Sequence, residues 1–494
     1  MKKKKYNLNN LMPLLLLVAV VINYLPLAYL NFNTKISVAV PIKEMVVAMA
    51  TAGILLIIFY ITRLKFNKEF LINIGLLFVF TGVQLVVQYQ RYKTGNYEIY
   101  DFANILCKFI NILLFYVLAL NIKIDEKYLK VFMHLLIIGG IVACVQNWQL
   151  YSTDILAQLN LVEAEKVAFA AKSFFAQKNM FAFYLYTAII AIVFLFQDKN
   201  KWYTYTYLGL VLILFMFNLV FTFSRTGTAM VLLFLCLWFL FTNKFKIIPK
   251  IIIIAVLGTG CYFGFNYINN KNPELIEKII RSSSIKTFTG RTIFWEIAEE
   301  ELGKNKQDLY FGIGRFEGEK LIEKYHVSQF HNTYVEFLIS GGIFELVCLL
   351  SIYFVVFIKV MRSKMDKGYK AIYSSMLITF LIYMCFESMG RFSIGCSDTL
   401  GIIMFITIPL IHANCTRRFS WEKTLECESN FENEIKVENT SRQRIVRRNL
   451  KNPGKRVKSD KIEENNKENI EQTNLDNISD IIENEKKEKD KYDY

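Results

Sequence analysis

Residues 202–242 read WYTYTYLGLVLILFMFNLVFTFSRTGTAMVLLFLCLWFLFT, two apolar runs with Phe223-Ser224-Arg225-Thr226-Gly227 between them. Residues 205–223 and 228–242 carry no charge. A helix of about 20 apolar residues is long enough to cross the hydrocarbon core of a bilayer. Each run therefore reads as a membrane-spanning helix. A charge at the bilayer centre costs about 2.5–3.5 kcal/mol on insertion scales, so Arg225 belongs at a span end or in a protected cavity.

The same pattern extends in both directions. The chain has 494 residues, 54% of them hydrophobic, with 42 Phe and 27 Tyr, and a mean hydropathy of +0.31. Repeated apolar stretches in such a composition exclude an ordinary soluble domain. About twelve spans are expected, near 11–31, 38–61, 70–88, 100–121, 129–150, 180–197, 202–223, 227–243, 249–268, 332–358, 371–387 and 398–413. The expected fold is an all-α polytopic membrane protein. Spans one to nine fill 1–268, an external segment 269–331, spans ten to twelve 332–415, and a disordered charged cytoplasmic tail 416–494. Lys2–Lys5 before the first run resemble a signal peptide, but the run continues to about Leu30 without a small-residue cleavage site. An uncleaved first span is the expectation. The nine cysteines are scattered without a CxxC pair and read as small buried apolar residues.

Loop charge sets the orientation. Loops on the side of the termini hold 22 basic residues, among them Lys2–Lys5, Lys359 to Lys370, Arg417 and Arg418. The opposite short loops hold eight: Lys35, Arg91, Lys93, Lys166, Lys172, Lys178, Arg225 and Arg391. Both termini are thus expected in the cytoplasm, with Arg225 and the 269–331 segment outside. Within that segment, Ile293, Ile297 and Leu302, with Phe294 and Trp295, recur at helical spacing and predict an amphipathic helix over 292–302. Pro273 and Glu274 open a short helix to Arg281, and Gly312-Ile313-Gly314 marks a turn. The tail from 416 is polar and poor in aromatics, as disordered segments are. From Arg442 to Lys458 it holds eight basic residues and no acid. That cluster suits anionic lipid headgroups, or is a solvated patch. No nucleic-acid-binding motif is present.

Four features share the expected outer side: Arg225; Arg291 with Trp295; His331-Asn332; and Gln177-Lys178-Asn179. Arginine presents a planar fork of donors matched to phosphate oxygens. Histidine takes a proton from a hydroxyl as general base. Each residue also has a plainer role: interfacial arginines cap helices or snorkel, and His331 can be a structural hydrogen-bonding residue. His326 competes for the role of base. Lys108 and Glu345 lie within apolar runs, where they pair with polar groups in the bundle or mark a path. His134 and His412 read as packing or interface residues.

The motifs resemble those of the O-antigen ligase and polymerase family. The resemblance rests on Thr222-Phe223-Ser224-Arg225-Thr226-Gly227, on Gly290-Arg291 with Trp295, and on Phe311-Gly312-Ile313-Gly314. It continues in His331-Asn332-Thr333-Tyr334-Val335-Glu336 running into Gly341-Gly342-Ile343, and in Phe174 to Ala182. That resemblance implies glycan transfer from an undecaprenyl-pyrophosphate-linked oligosaccharide to a sugar hydroxyl, at the outer face of a bacterial cytoplasmic membrane. It implies no metal and no nucleotide or other cofactor. By resemblance Arg225 and Arg291 clamp the pyrophosphate and His331 is the base. Arg391, on the outer loop between the last two spans, is a candidate further phosphate contact. The family's pattern fixes no chemical role for Asn179 and Asn332, which either orient groups in the site or cap helices. The implied partners are the lipid-linked donor, a glycan acceptor, membrane lipids and other polysaccharide-assembly proteins. The Lys-, Asn- and Ile-rich composition favours a polymerase of capsular or other cell-surface polysaccharide over a ligase for another acceptor. A lipid-linked oligosaccharide flippase is the rival from another class, but notable charges at a rim rather than at midplane count against it.

Overall fold

A computed structural model of the chain describes residues 68–93, 99–120, 126–159, 171–175, 177–197, 202–242, isolated positions between 248 and 271, 290–327, 329–392 and 396–414. The spans expected at 11–31 and 38–61, most of that at 249–268, the short helix at 274–281 and the tail lie outside the described residues. Regular structure among the described residues is helical throughout.

In chain order the helices are α1 (Lys68–Lys93), α2 (Ile99–Ile112, continued by a π-helical turn over Leu113–Leu118), α3 (Glu126–Leu159), α4 (Lys178–Leu195), α5 (Trp202–Phe221) and α6 (Arg225–Phe241). Next come three short helices, α7 (Arg291–Gly303), α8 (Lys306–Phe311) and α9 (Arg315–Glu323). Then follow α10 (Thr333–Arg362), α11 (Lys367–Met384) and α12 (Cys396–Ile402, passing through π-helical Ile403–Thr407 and on to residue 414). Nine of the expected spans thus coincide with helices. Six of these helices are long and apolar enough to cross a membrane, and α6 and the Asp398–Asn414 stretch are apolar but shorter. The count of twelve is therefore not reached among the described residues.

α4 is the centre of the bundle. Every residue from Phe181 to Leu195 is buried, as befits a helix that is apolar all round. Around it stand α3, α5, α6, α11 and α12. Its Phe183 and Tyr186 join Phe380, Tyr383 and Phe405 in one aromatic cluster, with the Phe380 and Phe405 rings stacked 3.8 Å apart. Gly139 of α3 admits the Tyr184 ring: a Cβ there would lie 2.2 Å from the tyrosine hydroxyl, which donates to Leu136 O at 3.1 Å. Close approach through small residues is how helices pack without a hydrophobic drive between them. On the periphery, Leu210, Ile213 and Val220 of α5 are exposed. In a helix of this hydropathy they form a lipid-facing stripe.

Lys108 and Glu345, left open by the sequence, pair with each other. Lys108 Nζ lies 2.5 Å from Glu345 Oε1 and donates to Ser340 Oγ at 2.8 Å, and Ser340 Oγ donates to Glu345 Oε2 at 2.7 Å. Two buried charges tolerate loss of water only when they pair and their remaining polar atoms are bonded.

The three short helices sit on one end of α10. The expected amphipathic helix is α7, which buries Ala298 and Leu302 but leaves Ile293 exposed. With Ile322, Phe330 and Ile339 these residues form a second, smaller core. The expected turn at Gly312–Gly314 docks on a break in α10, where Gly342 adopts φ 70° and ψ −166°. Ile313 and Gly314 N–H both donate to Ile339 O, at 2.7 and 3.2 Å. A Cβ on Gly342 would lie 2.2 Å from the Tyr310 carbonyl carbon. Arg91, at the end of α1, holds the same turn through Asp308 and Gly312 O.

Candidate functional site

The first turns of four helices meet around one carboxylate, Glu387, in the segment after α11. α6 begins after a turn in which Phe223 takes φ 48°. Ser224 then caps the helix, its Oγ accepting from Gly227 N at 3.3 Å. The same hydroxyl donates to Asn179 Oδ1 at 2.9 Å. Asn179, the second residue of α4, passes the connection on: its Nδ2 donates to Glu387 Oε1 at 2.9 Å. Arg291 opens α7 behind Gly290, whose φ of 82° suits only a residue without a side chain. Its Nη2 donates to the same Oε1 at 2.9 Å, and its Nη1 to Phe386 O. Asn332 caps α10, accepting from Tyr334 N at 3.0 Å and Val335 N at 3.3 Å. The residue before it, His331, is in the left-handed region at φ 53° and places Nδ1 3.5 Å from Glu387 Oε2.

Of the residues expected from sequence, Asn179, Arg291 and His331 are therefore brought together on Glu387. Arg225 is the first residue of α6, half-buried, next to the Ser224 that bonds Asn179. Lys178 reaches the same turn through Phe223 O at 3.3 Å. Asn332 has a capping role. Arg391 stands apart: its Nη2 and Nε lie 3.2 and 3.3 Å from Asp398 Oδ2, and its Nη1 lies 3.7 Å from Glu336 Oε2. The expected phosphate contact is thus a buried cation already paired with two carboxylates. His326 is exposed in the turn after α9 and is not among the residues contacting Glu387. His412 is buried, its Nδ1 2.9 Å from the Tyr373 hydroxyl, in keeping with packing; His134 is exposed on α3. Trp295 Nε1 donates to Phe330 O at 2.9 Å and so ties α7 to the residue before His331.

Sequence reasoning missed Glu387. Its signal was present: between Lys370 and Arg391 it is the only charged residue. It is also almost fully buried, at 3% exposure.

The electrostatics favour an anion. Helix N-termini carry about half a positive charge each, from unpaired N–H groups and aligned peptide dipoles. Glu387 bonds Asn179 at the start of α4 and Arg291 at the start of α7, and faces His331 just before α10. Through Asn179 it is linked to Ser224 at the start of α6, beside Arg225. Among the described residues no group of three or more His, Cys, Asp and Glu side chains is placed to hold a metal ion. Just beside the site, on α9, Glu319 has its pKa raised, chiefly by burial, with Arg315 opposing and Glu336 adding to the shift.

Residues 208–350 match the family model described as O-Antigen ligase. The match runs from within α5 to within α10 and takes in Arg225, Arg291 and His331; Asn179, Glu387 and Arg391 lie outside it. No curated protein matches the chain. Over that segment, which carries Arg225, Arg291 and His331 at helix starts, the chain is similar to the O-antigen ligase family.

Proposed function

We propose that this membrane protein is a glycosyltransferase. It transfers a glycan from an undecaprenyl-pyrophosphate-linked oligosaccharide to a sugar hydroxyl, and so polymerises the repeat units of a capsular or other cell-surface polysaccharide. The site works at the outer face of a bacterial cytoplasmic membrane. The observation that carries this reading is the meeting of four helix N-termini, Arg291 and His331 at Glu387, with Arg225 one residue from the link between α4 and α6. A pyrophosphate leaving group needs preorganised positive charge where its own charge develops, and such stabilisation contributes several kcal/mol. Arg225 and Arg291 supply it, together with the N–H groups of the four first turns.

His331 serves as base. Its Nδ1 faces Glu387, so the carboxylate fixes the tautomer with the proton on Nδ1 and leaves Nε2 to accept. Nε2 takes the proton of the acceptor hydroxyl, the hydroxyl oxygen bonds to the anomeric carbon, and the bond from that carbon to the pyrophosphate oxygen breaks. The separation of 3.5 Å is long for a hydrogen bond, as such contacts often are before substrate is bound. The sugar–pyrophosphate bond already holds the energy of transfer, so no nucleotide is required.

Arg225→Ala or Arg291→Ala should abolish polymer while the protein stays in the membrane. Deletion of the chain should leave lipid-linked repeat units unjoined at the outer leaflet. Polymer of normal length from both arginine variants would sink the clamp. A flippase would instead leave no repeat units at the outer leaflet when deleted. A ligase for another acceptor uses the same donor chemistry, and the product made by purified protein with one lipid-linked donor separates it from a polymerase.

A further inference from the structure

We infer that Glu336, backed by Arg391 and Asp398, is the positioning residue that sets the distance between His331 and Glu387. The inference deepens the glycan-transfer reading and rests on it for its kinetic consequence. His331 and Glu387 both lie outside the helices, one before the cap of α10 and one after α11. Glu387 N–H still reaches back to Tyr383 O at 3.1 Å, but no helix spans both residues, so neither helix sets the distance between them. A single oxygen, Glu336 Oε1, bridges the two segments. It accepts from Phe330 N at 2.8 Å and from Ser388 Oγ at 2.9 Å. Phe330 directly precedes His331, and Ser388 directly follows Glu387.

Further contacts tighten the same joint. Thr333 Oγ1 accepts from Met389 N at 2.9 Å and lies 2.9 Å from both Glu387 O and Met389 O. The 387–391 segment is pinned at its far end as well: Arg391 N donates to Asp398 Oδ1 at 3.0 Å. Glu336 is buried at 6% exposure, and a buried carboxylate needs a counter-charge. Arg391, 3.7 Å from Oε2, supplies it. An ionised acceptor makes shorter, stronger hydrogen bonds than a neutral one, which suits a joint that must hold two loops in register. Arg391 acts on the reaction through Glu336, not by touching phosphate.

The test uses the full chain in lipid nanodiscs with Glu336→Ala, Glu336→Gln and Ser388→Ala. A displacement of about 1 Å between reacting groups costs on the order of 100-fold in rate. Glu336→Ala should therefore lower kcat about 100-fold and leave KM for a lipid-linked oligosaccharide donor within about twofold. Glu336→Gln keeps an acceptor oxygen for both donors and should recover most of that loss. Ser388→Ala removes one bond and leaves the buried ion group intact; it should cost about fivefold, a measurement that stands even where Glu336→Ala fails to fold. In a His331→Ala background none of the three should cost anything more. Amide exchange should rise selectively in 329–332 and 386–390. A raised KM at constant kcat, or full additivity with His331→Ala, overturns the inference. So does unchanged exchange in both segments while the wild type is active. Localised exchange in a wild-type protein that forms no glycan product leaves the joint standing and sinks the transferase reading instead.

Discussion

At the scale of single residues, the proposed mechanism turns on Glu387. It accepts from Asn179 and Arg291 through Oε1 and faces His331 through Oε2. His331→Ala should lower kcat by about 10²–10⁴-fold, the usual worth of a positioned general base, with donor binding retained. Glu387→Gln keeps an acceptor for Asn179 and Arg291 but removes the charge that steadies the imidazolium. It should lose most of what His331→Ala loses, and the two losses should not add. Steady-state kinetics on the purified variants check both, and wild-type turnover in Glu387→Gln would remove the carboxylate from the mechanism. His326→Ala should change nothing. Arg291 lies in a polar segment and is marked by its motif with Gly290 and Trp295, whereas Arg225 and His331 stand out in the sequence because they flank apolar runs. Glu387 is the same kind of signal, but its partners come from α4, α7 and the turn before α10. Spacing along the chain cannot bring those together.

At the scale of elements, the expected helices emerge from their apolar runs, and departures arise where tertiary contact overrides local pattern. α10 reads as one continuous span, yet it breaks at Gly342 so that Ile339 O can take two N–H groups from the Ile313–Gly314 turn. The two glycine motifs, one expected as a turn at 312–314 and the other lying within the expected span 332–358, are two halves of one joint. Gly342→Ala forces a side chain into the left-handed region and against the Tyr310 backbone, which cannot yield. It should destabilise by about 1–3 kcal/mol from the backbone conformation alone, more with the clash, and lower the amount of folded protein in the membrane. Gly75→Ala in α1, with nothing within 4 Å of the added carbon, is the control and should be neutral or stabilising by up to about 1 kcal/mol. A melting experiment that ranks the two alike would contradict the joint.

The same element cluster has a pH dependence. Glu319 has a pKa above its ordinary 4.5, with burial the largest cause. The folded form therefore binds its proton more tightly than the unfolded form, and stability is lost as pH rises from the ordinary value through the raised one. Protection factors over 315–323, with the intrinsic pH dependence of exchange divided out, should be higher at pH 5 than at pH 7.5. In Glu319→Gln this difference should shrink. A steeper pH dependence in the variant would reverse the sign and refute the assignment.

At the scale of the whole molecule, the bundle is organised around α4, buried from Phe181 to Leu195 and carrying Asn179 of the candidate site in its first turn. The end that carries chemistry is also tied to the bundle by charge. Lys108 of α2 and Glu345 of α10 bond across the interior just beyond the break at Gly342, with Ser340 completing the group. Sequence reasoning could place both charges inside apolar runs but could not pair them, since the two helices meet only in the folded bundle. Because the attraction is offset by desolvation, the pair adds little net stability, while removing one partner strands the other. Lys108→Met alone should cost about 3–5 kcal/mol, as should Glu345→Met, whereas the double replacement should restore much of the loss. Thermal unfolding of the full chain in detergent reads this directly. Additive losses would mean that the two residues act separately. A double variant that regains stability but makes no polymer would show that the pair also holds the α8–α10 joint in register for the site above it.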